Sequence, residues 1–427
     1  MDDNRMEEEV FNFSDGGVVP EKVEESEPDD ENEIEEEEDS PQEKKKKSLG
    51  KRILKGFIIF LCVFLSLVLI LMGSVTIFIF SKLGKITYDT EEQVVIDPNQ
   101  EFIIPEGEED IDFGTIGDAA GNDMREIIKN WATNGGTKMW EKNVLNILLI
   151  GSDASINSSW RAHSMDKGNT DAMILVSIDR KKKTIKLVSF MRDSYTYMAQ
   201  FDRYAKLNAA CANGGPAYLV DTIENNYKIE IDGYIMVDLD SFVQIIDTLG
   251  GIRLDVDAGL ANHLSNNKDG VFPSGKNILL NGQQALKFSR VRKYYATGER
   301  ARVSNQRKVI NAIIEKCKGA TLTEINSVID VILANTRTNI SKNTIFGYIP
   351  TALSEGWANF TITELTMPDQ YTAYDYNSSQ TAWVWIVDYP LAAQTTQLFL
   401  YDKTNIELPE ERETAISVMG GYVPKKK

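Results

Sequence analysis

The chain has 427 residues, room for two or three compact units with a sizeable buried core, and a formal net charge of -18. It has two histidines, His163 and His263, and three cysteines, Cys62, Cys211 and Cys317, with no C-x-x-C pair. That inventory excludes a disulfide framework, a zinc ribbon and a thioredoxin-type site, and leaves little material for a histidine-rich metal cage or a Ser-His-Asp triad. The charge excess sits in one segment. Residues 1–43 hold 20 acids and 2 bases, so the rest of the chain carries 44 of each sign and is neutral. No nucleic-acid partner is expected from this balance.

The first segment is too charged and too poor in apolar residues to offset the entropy of ordering it, and it reads as a disordered acidic tail that runs, with its basic end, over residues 1–55. Residues 56–81 follow, 26 residues without a charge and without a polar face, longer than a bilayer core requires. They read as one transmembrane helix. The run is too long and begins too far from the N-terminus for a cleaved signal peptide. Lys44 to Lys47, Lys51, Arg52 and Lys55 precede it, whereas only Lys82 and Lys85 follow closely. This flank asymmetry places the N-terminus in the cytoplasm and the remainder outside the cell.

Residues 82–142 read as an extracellular stalk: from Thr87 to Met124 there is no Lys or Arg, and acids recur with glycines. A helix over about 123–140 closes it. The pattern then changes to compact apolar or alternating runs at 144–150 (VLNILLI), 172–178 (AMILVSI) and 184–190 (TIKLVSF), which predict strands. Helical spacing appears at 216–227 and 239–249, with further strands at 229–237 and 252–256. Helices interspersed with buried strands predict an α/β domain with a mixed central sheet covered on both faces. The domain proper is assigned to residues 143–320, and residues 321–427 complete it, with strand-like pieces FTITEL, AWVWIVD and QLFLY.

Asp153 follows one predicted strand and Asp171 opens another. Strand ends of open α/β sheets are where ligands bind, so the two acids are candidate ligands for a hard divalent cation; each alone reads equally as a turn former. Arg192 also follows a strand directly. Downstream, Arg290, Arg292, Lys293, Arg300, Arg302, Arg307 and Lys308 are concentrated within 19 residues. A helix capped by Asn281 is expected to end before Ser289, because residues two apart share a face only in an extended segment, and Arg290 and Arg292 then reach one site. Arg302 and Gln306, four apart, share a helix face. Guanidinium groups bind phosphate through paired donors, which suits a pyrophosphate, although a solvated basic helix accounts for the same residues.

The blocks NILLIGSDAS, NTDAMILVSIDRKKKTIKLVSFMRDS, AKLNAACANGGPAYLVDTIE, IDGYIMVDLDSF, TLGGIRLDV, LNGQQALKFSRVRK and RVSNQRKVI occur in order between residues 146 and 317. Over this stretch the chain resembles the LytR-CpsA-Psr family of Gram-positive cell-envelope phosphotransferases. The resemblance implies a three-layer α/β/α sandwich with an apolar cavity for a polyprenyl chain and arginines at its mouth for the lipid pyrophosphate. It implies Mg²⁺ held by Asp153 and Asp171, catalytic roles for these acids and Arg192, and substrate binding by Arg290, Arg292, Arg302, Gln306 and Lys206. The implied reaction moves an anionic glycopolymer from a polyprenyl-pyrophosphate carrier to peptidoglycan at the outer face of the cell membrane. The rivals are a non-catalytic receptor for polyprenyl lipids and a plain pyrophosphatase. This sequence departs from the family at Asn169 and Asn305, where arginines are common, and has the family's acid before the later arginines as Glu299. Residues 156–168, with Trp160, Arg161 and His163, read as a lid or as an ordinary surface loop.

Overall fold

The computed structural model describes residues 81, 83–84, 86–89, 101–104, 119–152, 170–265, 270–318, 331, 336–378 and 382–408. The acidic tail, residues 56–80 of the predicted span, Asp153, Asn169 and the stretch 156–168 lie outside these. In chain order the described residues form β1 (Thr87–Tyr88), α1 (Ala119–Asn134), β2 (Val144–Ser152), β3 (Thr170–Asp179), β4 (Thr184–Phe190), β5 (Ser194–Met198), β6 (Arg203–Lys206) and α2 (Ala209–Tyr227). There follow β7 (Gly233–Asp238), α3 (Leu239–Thr248), β8 (Ile252–Val256), α4 (Ala258–Leu264), β9 (Gly275–Leu280), α5 (Gly282–Arg290) and α6 (Glu299–Lys318). The last elements are β10 (Thr336–Thr338), α7 (Lys342–Glu355), β11 (Thr361–Met367), β12 (Ala373–Ser378), β13 (Ala382–Val387) and α8 (Tyr389–Tyr401).

The central sheet is mixed, in the order β1-β10-β7-β2-β3-β4-β11, with a second sheet β12-β13-β5-β6 and a hairpin β8-β9. Its middle strands are apolar almost throughout because both faces are covered. Leu148, Ile150, Met173, Leu175 and Val188 pack with side chains of α1, α2 and α8. The alternate residues Leu145 and Ile147 pack instead with Ile340 and with Ile345 and Tyr348 of α7. Period-two alternation thus puts helices on both sides of one sheet. Truncating a fully buried residue such as Leu175 to Ala is expected to cost about 2 to 5 kcal/mol.

Three sequence expectations shift for local reasons. α1 ends at Asn134, before Gly135 and the left-handed Gly136, and not near 140. The strand expected at 229–237 begins at Gly233, and Ile229 makes an isolated parallel bridge to Met139. QLFLY is not a strand but the last turns of α8, which Asp388 caps through the Leu391 amide and Pro390 opens. Within the segment read as stalk, Thr87 and Tyr88 pair with β10, and Ile103 exchanges backbone hydrogen bonds with the Asn213 side chain.

A smaller core positions the arginine segment. Phe288, Val291 and Val309 join Ile252, Leu254, Val256 and Leu280. α5 lies so close to α3 that a Cβ at Gly282 would stand 2.3 Å from the Val243 carbonyl oxygen. An Asn281–Gln284 capping box starts α5, and Val291 adopts extended angles at its end. Phe288 and Val291 point inward, so Arg290 and Arg292 stand on the outside.

Candidate active site

The centre of the site is a fault in the β2-β3 ladder. Gly151 pairs with Ala172 and Ser152 with Thr170, which leaves Asp171 as the extra residue of a bulge. A bulge turns the side chain and removes the carbonyl from the ladder, so both need new partners. Asp171 finds them among the arginines. Its carboxylate accepts from Arg192 Nη1 at 2.6 Å, Arg290 Nη2 at 3.3 Å and Arg302 Nη1 at 3.4 Å. Its carbonyl accepts from Arg302 Nη2 and Gln306 Nε2, both at 3.2 Å.

Three separate segments deliver these groups. Arg192 occupies the turn after β4, where Met191 N–H donates to the Met367 carbonyl and Ser194 Oγ donates to the Met191 carbonyl at 2.7 Å. The helix expected to end before Ser289 runs two residues further, so Arg290 is the last residue of α5 and not part of an extended segment, yet the extended Val291 still sets Arg290 and Arg292 on one side. Arg302 and Gln306 lie one turn apart on α6, as their spacing predicts.

Two buried carboxylates lie behind the guanidinium groups. Glu299 accepts a short hydrogen bond from Arg302 Nη2 and pairs with Arg292 Nε at 3.3 Å and Arg192 Nε at 3.8 Å. Asp193 pairs with Lys206 Nζ at 2.9 Å and faces Arg192 Nε at 3.7 Å. Burial pushes the Glu299 carboxyl up from its ordinary value, and nearby Asp193 adds to this against the pull of the arginines. Burial pulls the Arg302 guanidinium down in turn. The result is a stack of charges in which carboxylates hold the inner arginines from behind and Asp171 holds them from in front. Asn305, at the position where the resemblance expects an arginine, is buried, donates to the Phe288 carbonyl at 3.4 Å and accepts from Lys308. It ties α6 to α5.

The structure therefore brings together Asp171, Arg192, Arg290, Arg292, Arg302, Gln306 and Lys206. Asp153 lies outside the described residues. Sequence reasoning passed over Asp193, whose signal was its place beside Arg192 in a strand-to-strand turn. As to a metal, no group of three or more His, Cys, Asp or Glu side chains gathers among the described residues. Asp171 offers the hard oxygen donors that suit Mg²⁺, though in this arrangement its oxygens serve guanidinium groups.

The model of the LytR_cpsA_psr family matches residues 117–398. The chain belongs to the LytR_cpsA_psr family. It is 32% identical over 215 residues, 50% of this chain and 66% of the relative, to the polyisoprenyl-teichoic acid–peptidoglycan teichoic acid transferase TagU of Bacillus anthracis. It is 30% identical over 246 residues, 56% of this chain and 58% of the relative, to the transferase TagV of Bacillus subtilis. The chain thus spans less than two thirds of the length of each of these relatives. A crystal structure of protein gbs0355 from Streptococcus agalactiae superposes with a TM-score of 0.50 at 25% identity, covering 62% of this chain and 91% of that one. The mixed α/β architecture is shared with that protein.

Proposed function

We propose that this protein is a membrane-anchored phosphotransferase that moves an anionic glycopolymer, of the wall teichoic acid or capsular type, from a polyprenyl-pyrophosphate carrier to peptidoglycan. The observation that carries the reading is the convergence of Arg192, Arg290, Arg302 and Gln306 on the bulged Asp171, with Arg292 beside them on Glu299 and with Arg290 and Arg292 open to solvent. A pyrophosphate needs several fixed bidentate donors, and this set supplies them without a histidine or a nucleophilic serine. The names of the related transferases support the same chemistry.

In this reading Arg290 and Arg292 receive the pyrophosphate, and Arg192, Arg302 and Gln306 fix its orientation from below. A hydroxyl of the acceptor sugar attacks the phosphorus nearer the glycan, the bond to the bridging oxygen breaks, and polyprenyl phosphate leaves. The arginines neutralise the charge that gathers on the phosphate oxygens, which is the main protein contribution to phosphoryl transfer. The hydroxyl proton goes to a carboxylate at the site, Asp171 or Asp153. Mg²⁺ belongs to the proposal: Asp153 and Asp171 would hold it, and it would supply further charge neutralisation. The three-layer sandwich with a polyprenyl cavity and the single-pass anchor at 56–81, with residues 82–427 extracellular, complete it. The unequal basic flanks support the orientation.

The deciding experiment supplies the detergent-solubilised chain with Mg²⁺, a lipid-linked glycan and peptidoglycan. A glycan–peptidoglycan adduct with release of polyprenyl phosphate is expected. Arg290-dependent lipid binding with neither product would replace the enzyme by the receptor reading, and polyprenyl phosphate release with water as the only acceptor would replace it by the pyrophosphatase. Protease added to intact protoplasts is expected to digest residues beyond Lys82 and spare the acidic tail; loss of the tail would overturn the topology.

A further inference from the structure

Beside the arginine cluster lies an open cleft of about 1230 Å³ that has Arg290 and Arg292 on one wall. Its other wall has a different chemistry. β13 supplies Trp383 and Trp385, two residues apart and therefore on one face of the strand, with ring centroids 4.7 Å apart at 78°. The Arg300 guanidinium lies over the Trp385 ring at 4.5 Å, and its Nη1 donates to the Pro368 carbonyl at 3.0 Å. β13 is fastened to the arginine turn itself. Trp385 N–H donates to the Asp193 carbonyl at 2.9 Å, and Trp385 pairs with Ser194. The indole wall is thereby held in fixed relation to Arg192.

Lys287 and Lys293 also line the cleft, making five cationic side chains with Arg290, Arg292 and Arg300. Glu299 is the one acid in the lining, and it is buried against Arg302 and Arg292. Leu264, Leu286, Val291 and Tyr295 also line the cleft, but a polyprenyl chain laid along it would have to desolvate five cations against hydrocarbon. A polyol-phosphate chain would match the charge but has no ring to lay on an indole. A sugar chain that carries carboxylates matches both features.

We propose that this cleft is the acceptor subsite, where Trp383 stacks on a ring of the acceptor's amino-sugar chain and Lys293 and Arg300 take its carboxylates. The proposal rests on the transferase reading above and adds to it the place from which the nucleophile arrives. In-line displacement puts attacking and leaving oxygens on opposite sides of the phosphorus, so the acceptor needs a site separate from the lipid. A cleft that shares only Arg290 and Arg292 with the pyrophosphate position meets that requirement.

The test uses the full chain in detergent micelles, with a soluble disaccharide-peptide fragment of peptidoglycan as probe and inorganic pyrophosphate as the control ligand, each titrated calorimetrically. Trp383→Ala is expected to weaken fragment binding about fivefold to tenfold, the scale of a lost aromatic contact, with partial recovery in Trp383→Phe. Lys293→Gln, at an exposed position, is expected to weaken it about threefold, in the range of a charge-assisted contact on the surface. Pyrophosphate affinity should stay unchanged in all three variants. Unchanged fragment binding in Trp383→Ala with a native melting curve would overturn the proposal, and if that variant does not fold, unchanged binding in both Trp383→Phe and Lys293→Gln would do the same. Trp383-dependent binding of soluble poly(glycerol phosphate), with none of the fragment, would assign the cleft to the donor polymer and overturn it too. Failure of the wild-type chain to bind pyrophosphate would count against the transferase reading alone, because the fragment titration reads the cleft independently.

Discussion

Arg192 and Arg302 have side chains 13% and 4% exposed, whereas Arg290 and Arg292 are 45% and 44% exposed. The two pairs meet the same acids but differ in what would happen without them. The inner pair lies between Asp171 in front and Asp193 and Glu299 behind, so its charges are part of a network that folding had to desolvate. The outer pair keeps much of its hydration and each member holds one acid by a single contact above 3 Å. The inner arginines are built in and the outer ones are available, which means that one sequence feature, a run of basic residues, has been divided by burial into a frame and a grip. The frame should fail through stability, and the grip through binding.

The largest expected effect is at Arg302. Arg302→Ala would leave the Glu299 carboxylate buried beside Asp193 without its closest partner, and breaking a buried pair costs about 3 to 5 kcal/mol. Urea unfolding should show that loss, together with loss of transfer activity. A stability within about 0.5 kcal/mol of wild type would mean that the inner pair is no frame at all.

Asp171 stands where frame and grip meet, and its replacement separates binding from turnover. Its carboxylate competes with any phosphate for Arg192, Arg290 and Arg302, so Asp171→Asn should leave pyrophosphate affinity level or higher. Its contribution belongs to the transition state, and kcat should fall by about 10² to 10³, the scale seen when one preorganised polar group is removed. A fall in affinity with kcat unchanged would show Asp171 to be a ground-state ligand only.

The grip comes next in size. Arg290→Ala or Arg292→Ala removes a charge-assisted contact to the pyrophosphate, worth about 1.5 to 3 kcal/mol, so lipid affinity should drop about tenfold or more. Stability should change by no more than about 0.5 kcal/mol, since exposed ion pairs contribute little. A destabilised Arg290→Ala protein that binds lipid normally would erase the distinction between the two pairs.

What the sequence made legible follows the same division between local and distant causes. β4 and β8 occupy the ranges that their patterns predict, because a largely buried strand reads as an apolar-rich run and a half-buried one as an alternation, residue by residue. Arg302 and Gln306 share a face for the equally local reason of helical spacing. The bulge at Asp171 was not legible, since it is a property of the register between β2 and β3 and not of either strand. Asp193 looks like a turn residue until the β5-β6 hairpin brings Lys206 to it. Trp383 and Trp385 lie in a segment whose strand pattern was plain, but their role depends on β13 lying beside β5, nearly 190 residues earlier in the chain. QLFLY misled because its apolar density hid a start signal, Asp388 and Pro390, placed nine and seven residues upstream.

The smallest effect sharpens the account of the frame through pH. Burial raises the Glu299 carboxyl above its ordinary value of 4.5, so the folded state holds that proton to higher pH than the unfolded chain does. Between the ordinary value and the raised one the unfolded state has released the proton while the folded state retains it. Folding stability from this group is therefore fully present below the ordinary value and is lost as pH rises through the raised one. Glu299→Gln has no proton to release and should lack this slope. The difference in unfolding free energy, wild type minus Glu299→Gln, should accordingly decline as pH rises from 4.5 toward neutrality and then level off. A difference that instead grows with pH would mean that Arg302, Arg192 and Arg292 outweigh burial and hold Glu299 ionised at low pH. The frame would then be a set of satisfied ion pairs, with no strain from burial, and the contrast with the outer arginines would be one of accessibility alone.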